Sequence, residues 1–497
     1  MRATLKIGLA IALVMSLVGE ALATHASDIV VGPHPTPGAG AAGVALKWKV
    51  RRENSTYHSL IVDAEHETMY AASDFSVVIA VDPDTGATKW EFNPNLWGSS
   101  GTRPVYGGGL VFRGANRVIF SAYPSSPDHV GAIMFAVDAR TGKERWRFEI
   151  IEQQVTTPVV AGDTLYFGSE GTSEVGPSGS IYALRLADGT LKWELPLPGG
   201  YVMDAPAISK GVLYFTQRAV SEQGTSYFRA LDMATGEEKW KFPANKGILQ
   251  APPPIVSGNK VYFLSDNFGA DRLYALDAST GKLVWDYTVA DRNDTETVPP
   301  TPGITNIPPY PTHYFPTQPG ISTLAVIKDG VVCFGANILD DESNADSEAV
   351  PHLIALDAGT GREKWRLNLD NELSGGLAIQ GGFVYFGTQA TGMGSPPNAL
   401  YSVNASTGSV QWKLEIEDAP NTPIVYNGAL IYADNFGYLY ALLLSPVGMP
   451  GAGSPSWPMA LIVSVALMCL VSGLTLRWCR SHPIDILSEA KDPRCRH

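Results

Sequence analysis

The chain has 497 residues, 45% of them apolar, and a formal net charge of −13 at pH 7. Its length allows a large buried core, and its acidity argues against nucleic acid as a partner because phosphate binding needs a basic surface. Four cysteines are too few for a disulfide framework, and three of them lie at Cys469 or beyond.

Residues 1–26 have the features of a signal peptide. Arg2 and Lys6 give a positive start, residues 7–18 are apolar, and small residues close the segment. It contains no cysteine, which excludes a lipoprotein signal, whereas an uncleaved membrane anchor is the alternative. Residues 27–44 follow as a linker rich in Pro, Gly and Ala.

An eleven-residue unit then recurs seven times, and ALDASTGKLVW at 275–285 is one of its copies. Each copy ends on a tryptophan, namely Trp90, Trp146, Trp193, Trp240, Trp285, Trp365 and Trp412. Each has a glycine four residues earlier, namely Gly86, Gly142, Gly189, Gly236, Gly281, Gly361 and Gly408. Self-similarity of this kind indicates a repeat architecture.

The unit has the chemistry of a hairpin. Its Asp can bond the backbone two residues on, and its Gly tolerates positive φ, so D-x-x-T-G predicts a turn between two strands. The tryptophan lies on the second strand, where its ring can pack against a neighbouring unit. A further β-rich hairpin, such as VLYFT at 212–216, precedes most copies. Four strands per repeat predict an all-β propeller.

The two ends of the repeat region complement each other. Residues 45–50, ALKWKV, form an isolated final strand with Trp48, and residues 438–442 supply a strand that no tryptophan strand follows. Together they predict an eighth blade closed by the N- and C-terminal strands, over 45–444, which removes the free sheet edges. The long gap between Trp285 and Trp365 could instead hold a ninth blade, but eight prolines between 299 and 319 would break a central strand.

The repeated unit resembles the AxDxxTGxxxW tryptophan-docking motif of the PQQ-like, or quinoprotein-like, β-propeller family, over roughly residues 45 to 443. The resemblance implies that each tryptophan, with Trp48 as the eighth, stacks against the glycine region of the next blade. The family contains enzymes and non-enzymatic scaffolds, so function has to be argued from sites. In blade number the chain is similar to the non-enzymatic outer-membrane assembly propellers, which are lipoproteins.

The gap after Trp285 holds an insert at 288–320. An irregular loop of this length in a compact fold is usually functional or disordered. Aromatic residues on a Pro-stiffened loop suit contact with a partner. The candidates for that contact are Tyr310, His313, Tyr314 and Phe315. Packing of this loop against the propeller is the alternative.

The C-terminal region changes character. Residues 445–456 form a Gly/Pro/Ser linker, and residues 457–478 contain an uncharged apolar stretch long enough to span a bilayer, with a Trp at each end. The tail at 479–497 has more basic than acidic residues. The positive-inside rule then predicts a single-pass membrane protein with a cytoplasmic tail and a periplasmic or extracellular propeller.

The acidic residues are the candidates for metal ligands. The recurring Asp82, Asp138, Asp232, Asp277 and Asp357 lie one per blade, so each is expected to cap its own turn. The acidic stretch at 339–348 has the oxygen-ligand density of a calcium loop without EF-hand spacing, and a solvated loop is expected. No metal site is predicted.

Two functions from different classes follow. The first is a membrane-anchored binding or scaffolding propeller, non-catalytic and without cofactor, that contacts a protein partner through a propeller face. The second is a PQQ-dependent dehydrogenase oxidising alcohols or sugars, for which the resemblance implies PQQ with Ca²⁺. Family enzymes typically use a catalytic Asp and, in many, a pair of adjacent cysteines. The chain has no adjacent cysteines and no C-x-x-C-H haem motif, and no motif assigns a catalytic or cofactor-binding residue.

Overall fold

The computed structural model describes residues 44–51, 57–73, 77–94, 105–106, 111–112, 116–123, 131–151, 154–171, 178–202, 204–220, 224–246, 253–265, 272–288, 320–321, 326–328, 330–339, 349–390 and 395–444. Within these ranges the regular elements are strands, numbered β1 to β36. No described helix is long and apolar enough to cross a membrane.

The strands form eight antiparallel sheets, the blades I to VIII. The first strand, β1 (Val44–Arg51), belongs to blade VIII. Blades I and II contain β2 (Tyr57–Asp63), β3 (Thr68–Ser73), β4 (Val78–Val81), β5 (Thr88–Phe92), and β6 (Val105–Tyr106), β7 (Val111–Phe112), β8 (Arg117–Tyr123), β9 (Ala132–Asp138), β10 (Glu144–Ile150). Blades III and IV contain β11 (Gln154–Val155), β12 (Val159–Ala161), β13 (Thr164–Glu170), β14 (Gly179–Arg185), β15 (Leu191–Leu197), and β16 (Gly200–Tyr201), β17 (Ala207–Ser209), β18 (Val212–Ala219), β19 (Thr225–Asp232), β20 (Glu238–Lys246).

The second half repeats this arrangement. Blades V and VI contain β21 (Ile255–Ser257), β22 (Lys260–Ser265), β23 (Arg272–Asp277), β24 (Leu283–Thr288), and β25 (Gly320–Ile321), β26 (Val326–Lys328), β27 (Val331–Leu339), β28 (Ala349–Asp357), β29 (Glu363–Asn368). Blades VII and VIII contain β30 (Glu372–Gln380), β31 (Phe383–Gln389), β32 (Ala399–Asn404), β33 (Val410–Glu415), and β34 (Ile424–Tyr426), β35 (Ala429–Ala433), β36 (Tyr438–Leu444) with β1. In four blades the first strand is split into two short pieces that pair with the same second strand.

Burial explains the sequence pattern of the blades. Every residue of β3, β9 and β13 is buried, because the central strands of a blade pack against neighbouring blades on both faces. These strands therefore appear as continuous apolar runs. The last strand of a blade, such as β5, is partly exposed and carries the repeat tryptophan. Eight apolar clusters form the core.

Blade VIII is closed by the two ends of the repeat region. Its strand order is β1-β36-β35-β34, and the antiparallel register runs from Val44 opposite Leu444 to Arg51 opposite Tyr438. The all-β, eight-bladed propeller is thus confirmed. In blade VI the strand order is β25-β27-β28-β29, and the described residues between Trp285 and Trp365 contain no ninth sheet.

The first strands of most successive blades contact one another, so they surround the central channel.

Several predicted regions lie outside the described residues. They are the signal peptide at 1–26, the linkers at 27–44 (apart from Val44) and 445–456, residues 289–319 of the insert at 288–320, the helix at 457–478 and the tail at 479–497. The four candidates for partner contact lie in that insert.

Candidate functional site

Seven blade junctions bring a tryptophan against a glycine of the following blade. The pairs are Trp48–Gly86, Trp90–Gly142, Trp146–Gly189, Trp193–Gly236, Trp240–Gly281, Trp285–Gly361 and Trp365–Gly408. A Cβ atom at any of these glycines would lie only 2.6–3.2 Å from the nearest ring atom, and each glycine has a φ between +67° and +77°. Only glycine combines this backbone conformation with such close approach.

The same seven indoles also donate hydrogen bonds. Each Nε1 donates, over 2.9–3.3 Å, to the backbone oxygen of the second residue of the next turn. Trp285, for example, donates to Ala358 O. The tryptophan therefore joins two blades by ring contact and by a hydrogen bond.

A second donor converges on four of these carbonyls, and the sequence analysis missed it. Tyr70, Tyr166, Tyr214 and Tyr262, on the second strands, each donate from Oη over 2.8–3.1 Å to the oxygen that accepts the tryptophan bond. Burial raises the pKa of Tyr262 to about 12, so its hydroxyl keeps its proton. The sequence signal for Tyr166, Tyr214 and Tyr262 is an L-Y-F or V-Y-F segment, whereas Tyr70 lies in M-Y-A. Cys333, fully buried, takes that position in blade VI.

The junction between blades VII and VIII differs. Blade VIII has no D-x-x-T-G turn, because Leu443 stands where the Asp would be and β36 ends at Leu444. The Trp412 ring packs near Tyr385, with centroids 6.2 Å apart. Within the described residues, Trp412 Nε1 makes no hydrogen bond.

The repeated aspartates are held in their own turns. Asp277 Oδ1 accepts bonds from the Ser279 and Thr280 backbone N–H groups and from both hydroxyls, over 2.6–3.1 Å. These bonds, with the hydroxyl bonds the larger cause, lower the pKa of Asp277 to about 2. Asp82, Asp138, Asp232 and Asp357 also accept from the two following turn N–H groups. This geometry agrees with the expectation that each aspartate caps its own turn.

Buried polar side chains also lie beside the channel. Arg218 on β18 pairs with Asp204 at 2.9 Å, and burial raises the pKa of Asp204 more than the Arg218 charge lowers it. Asn337 Nδ2 on β27 donates to Glu372 Oε1 on β30 over 3.0 Å, and burial likewise raises the pKa of Glu372. Asp434 accepts from two backbone N–H groups and from Tyr440 Oη. The pairs Asp204–Arg218 and Asn337–Glu372 join residues 14 and 35 positions apart, for which the sequence has no motif.

A calcium–quinone site needs several free carboxylate or amide oxygens directed at one point. Asp204 and Asp434 do not fit such a site, because Asp204 is paired with a guanidinium and Asp434 is occupied by three donors. Glu372 is joined to a single amide. Among the described residues no three His, Cys, Asp or Glu side chains are grouped as metal ligands.

Comparison with known proteins identifies proteins similar to this propeller. Over 337 residues the chain is 25% identical to tetrathionate hydrolase of Acidithiobacillus ferrooxidans, which covers 62% of this chain and 60% of that protein. It is 24% identical to outer membrane protein assembly factor BamB of Yersinia pestis, over 46% of this chain and 56% of that protein. The crystal structure of quinohemoprotein alcohol dehydrogenase from Comamonas testosteroni superimposes with a TM-score of 0.59 at 17% identity, covering 85% of this chain and 79% of that one.

This chain thus spans 60% and 56% of the lengths of these two curated relatives. The likeness to the dehydrogenase structure is one of fold. A family model described as outer membrane protein assembly factor BamB matches residues 74–176, 131–302 and 349–442, which is more than half of the chain. The chain belongs to this family of PQQ-like β-propeller repeat proteins.

Proposed function

We propose that the chain is an extracytoplasmic binding or scaffolding propeller, anchored in the cell membrane through residues 457–478 and without catalytic activity. The observation that carries the proposal is that the aspartates of the repeat turns and the buried Asp204, Glu372 and Asp434 already have hydrogen-bond or ion-pair partners. Groups committed to turns and ion pairs stabilise a rigid frame. A rigid frame with variable loops suits binding.

The expected partner is a protein bound on a propeller face, with Tyr310, His313, Tyr314 and Phe315 in the contact. Family membership supports a protein partner, because one curated relative is named as an assembly factor. Aromatic groups on such a loop would supply the apolar centre of an interface.

Co-purification from cells tests this function. Full-length protein is cross-linked and purified beside two variants, one with residues 289–319 replaced by a Gly/Ser linker and one with only the four partner-contact residues changed to Ala. Both variants are expected to lose the same partner. A matched control shortens the acidic stretch at 339–348 in the same blade and should keep it. An unchanged partner set in both variants would show that the contact lies elsewhere.

Membrane topology is tested separately. Protease added to spheroplasts should degrade the propeller and leave a protected C-terminal fragment, as the positive-inside rule requires. A tag placed after His497 should stay inaccessible in intact spheroplasts. Labelling of that tag from outside would contradict the proposed orientation.

A PQQ-dependent dehydrogenase is the second candidate, and the shared fold of the Comamonas testosteroni enzyme is the observation that keeps it in view. Full-length protein in detergent, incubated with PQQ and Ca²⁺, is measured by calorimetry and by a dye-linked assay over alcohols and aldoses. We expect neither stoichiometric binding nor dye reduction. Stoichiometric PQQ binding together with dye reduction would show that the protein is a dehydrogenase and would contradict the scaffold function.

A further inference from the structure

A buried polar pair joins blades VI and VII beside the channel. Asn337 and Glu372 keep only 4% and 5% of their surfaces exposed. Asn337 Nδ2 donates to Glu372 Oε1, but Asn337 Oδ1 is buried and has no hydrogen-bond partner among the residues that the structure describes. An unmet acceptor thus lies next to a carboxyl group.

A protonated carboxyl group can supply the hydrogen-bond donor that Asn337 Oδ1 lacks. An ionised carboxylate can only accept hydrogen bonds, whereas a carboxylic acid has one O–H donor. The terminal torsion of a Glu side chain is soft, so Oε2 can turn towards the amide. Exchanging N and O of the Asn337 carboxamide does not remove the need, because two acceptors would then face each other and only a proton could join them.

We infer that Glu372 keeps its proton in the folded protein and pairs with the Asn337 carboxamide through two hydrogen bonds, forming a proton-dependent tie between blades VI and VII. In one bond Asn337 Nδ2 donates to Oε1. In the other the Oε2 hydroxyl donates to Asn337 Oδ1. The tie is independent of what the propeller binds.

The surroundings of the pair favour the neutral acid. Opposite Asn337 on β28 lies Pro351, and opposite Glu372 on β31 lies Gln389, both uncharged. His352 points to the other face of β28, and its Nδ1 bonds Val350 O at 2.7 Å. Asp370 is held by Lys413 at 2.6 Å. Burial raises the pKa of Glu372, and this outweighs the lowering by the bond from Asn337.

The pH dependence follows from the sign of that shift. A carboxyl group whose pKa is raised by folding contributes its stability fully below its unfolded pKa of about 4.3. The contribution is lost as pH rises through the higher folded pKa. The tie is therefore expected to weaken from mildly acidic towards alkaline pH.

Glu372→Gln is the diagnostic variant, because Gln mimics the protonated acid with a permanent N–H donor. Infrared difference spectra between wild type and Glu372→Gln should contain the C=O band of one protonated carboxyl group. We expect its titration midpoint to lie above the ordinary Glu value of about 4.3. A midpoint at or below that value, or the absence of the band, would overturn the inference.

Thermal unfolding gives an independent measurement. The melting temperature of wild type relative to Glu372→Gln should fall by on the order of 2 °C between about pH 4 and about pH 9. The control Glu415→Gln, at an exposed position of blade VII, should follow wild type. Parallel curves for wild type and Glu372→Gln would contradict the tie. If the variant fails to fold, a ¹³C NMR titration of wild type labelled at Glu carboxyl carbons supplies the same midpoint.

Discussion

The junctions between blades are of two kinds. At seven of them a tryptophan contacts a glycine in the turn of the next blade and donates to a carbonyl beside it. At the junction of blades VII and VIII the turn is missing, and bonds closer to the channel join the blades. Ser374 Oγ donates to Pro420 O, and Thr422 Oγ1 accepts from Gly376 N, both over 2.6 Å. The repeated motif is thus one way of joining blades, and the fold tolerates another where the chain closes.

The largest effect is expected from deleting residues 45–50, which removes most of β1 from blade VIII. The deletion exposes the edge of β36 and removes Trp48, which is buried and donates to Pro83 O. Loss of a buried Trp alone costs about 3–5 kcal/mol, so the propeller should lose at least that much. Urea unfolding measures the change, with deletion of residues 31–43 as a nearly neutral control. Equal midpoints for the two deletions would show that β1 is dispensable.

Single tryptophan substitutions compare the two kinds of junction directly. Trp285→Ala removes a buried ring and its bond to Ala358 O, and should cost about 3–5 kcal/mol. Trp412→Ala removes a partly buried ring without such a bond and should cost clearly less. Denaturant unfolding of both variants decides the order. A larger loss at Trp412 would mean that the closing junction depends on its tryptophan.

The second donor at four junctions can be removed alone. Tyr262→Phe deletes the hydroxyl bonded to Ala358 O while the Trp285 bond to the same oxygen remains. The expected loss is about 0.5–1.5 kcal/mol. Tyr227→Phe, at a half-buried position on the third strand of blade IV, serves as the control, and no loss is expected there. Indistinguishable values for the two variants would mean that one donor suffices.

The smallest effect is expected in the turns. Asn404 already takes the Asp position in blade VII and accepts the same backbone bonds, so Asp277→Asn should fold normally with little change in melting temperature at neutral pH. The pKa of Asp277 is lowered to about 2, so its carboxylate stabilises the fold above the unfolded value of about 3.9. That contribution should vanish as pH falls towards 2 in wild type only. Melting curves that stay parallel down to that pH would show that the carboxylate adds nothing beyond the amide.

The repeated unit made the fold predictable. It identifies the turn and the last strand of each blade, and the unpaired segments at 45–50 and 438–442 predict the closure. The tyrosine donors were less visible, because their acceptors lie on the following blade, 64 to 96 residues away. The pairs Asp204–Arg218, within blade IV, and Asn337–Glu372, between blades VI and VII, have no sequence motif and arise only when the strands assemble. A candidate site beside the channel therefore needs the structure.

The register of β1 and β36 has a mechanical consequence. Val44 and Leu444 are opposite each other, so the chain enters and leaves blade VIII at the same end of one antiparallel ladder. Hydrogen bonds in such a ladder run perpendicular to the strands. Tension between the segment before Val44 and the segment after Leu444 would pull the two strands apart sideways. It would therefore break the hydrogen-bonded residue pairs one after another, starting at Val44 and Leu444, instead of shearing all of them at once. Blade VIII would open first under load, at low force, while the seven blades closed by hairpins stay intact.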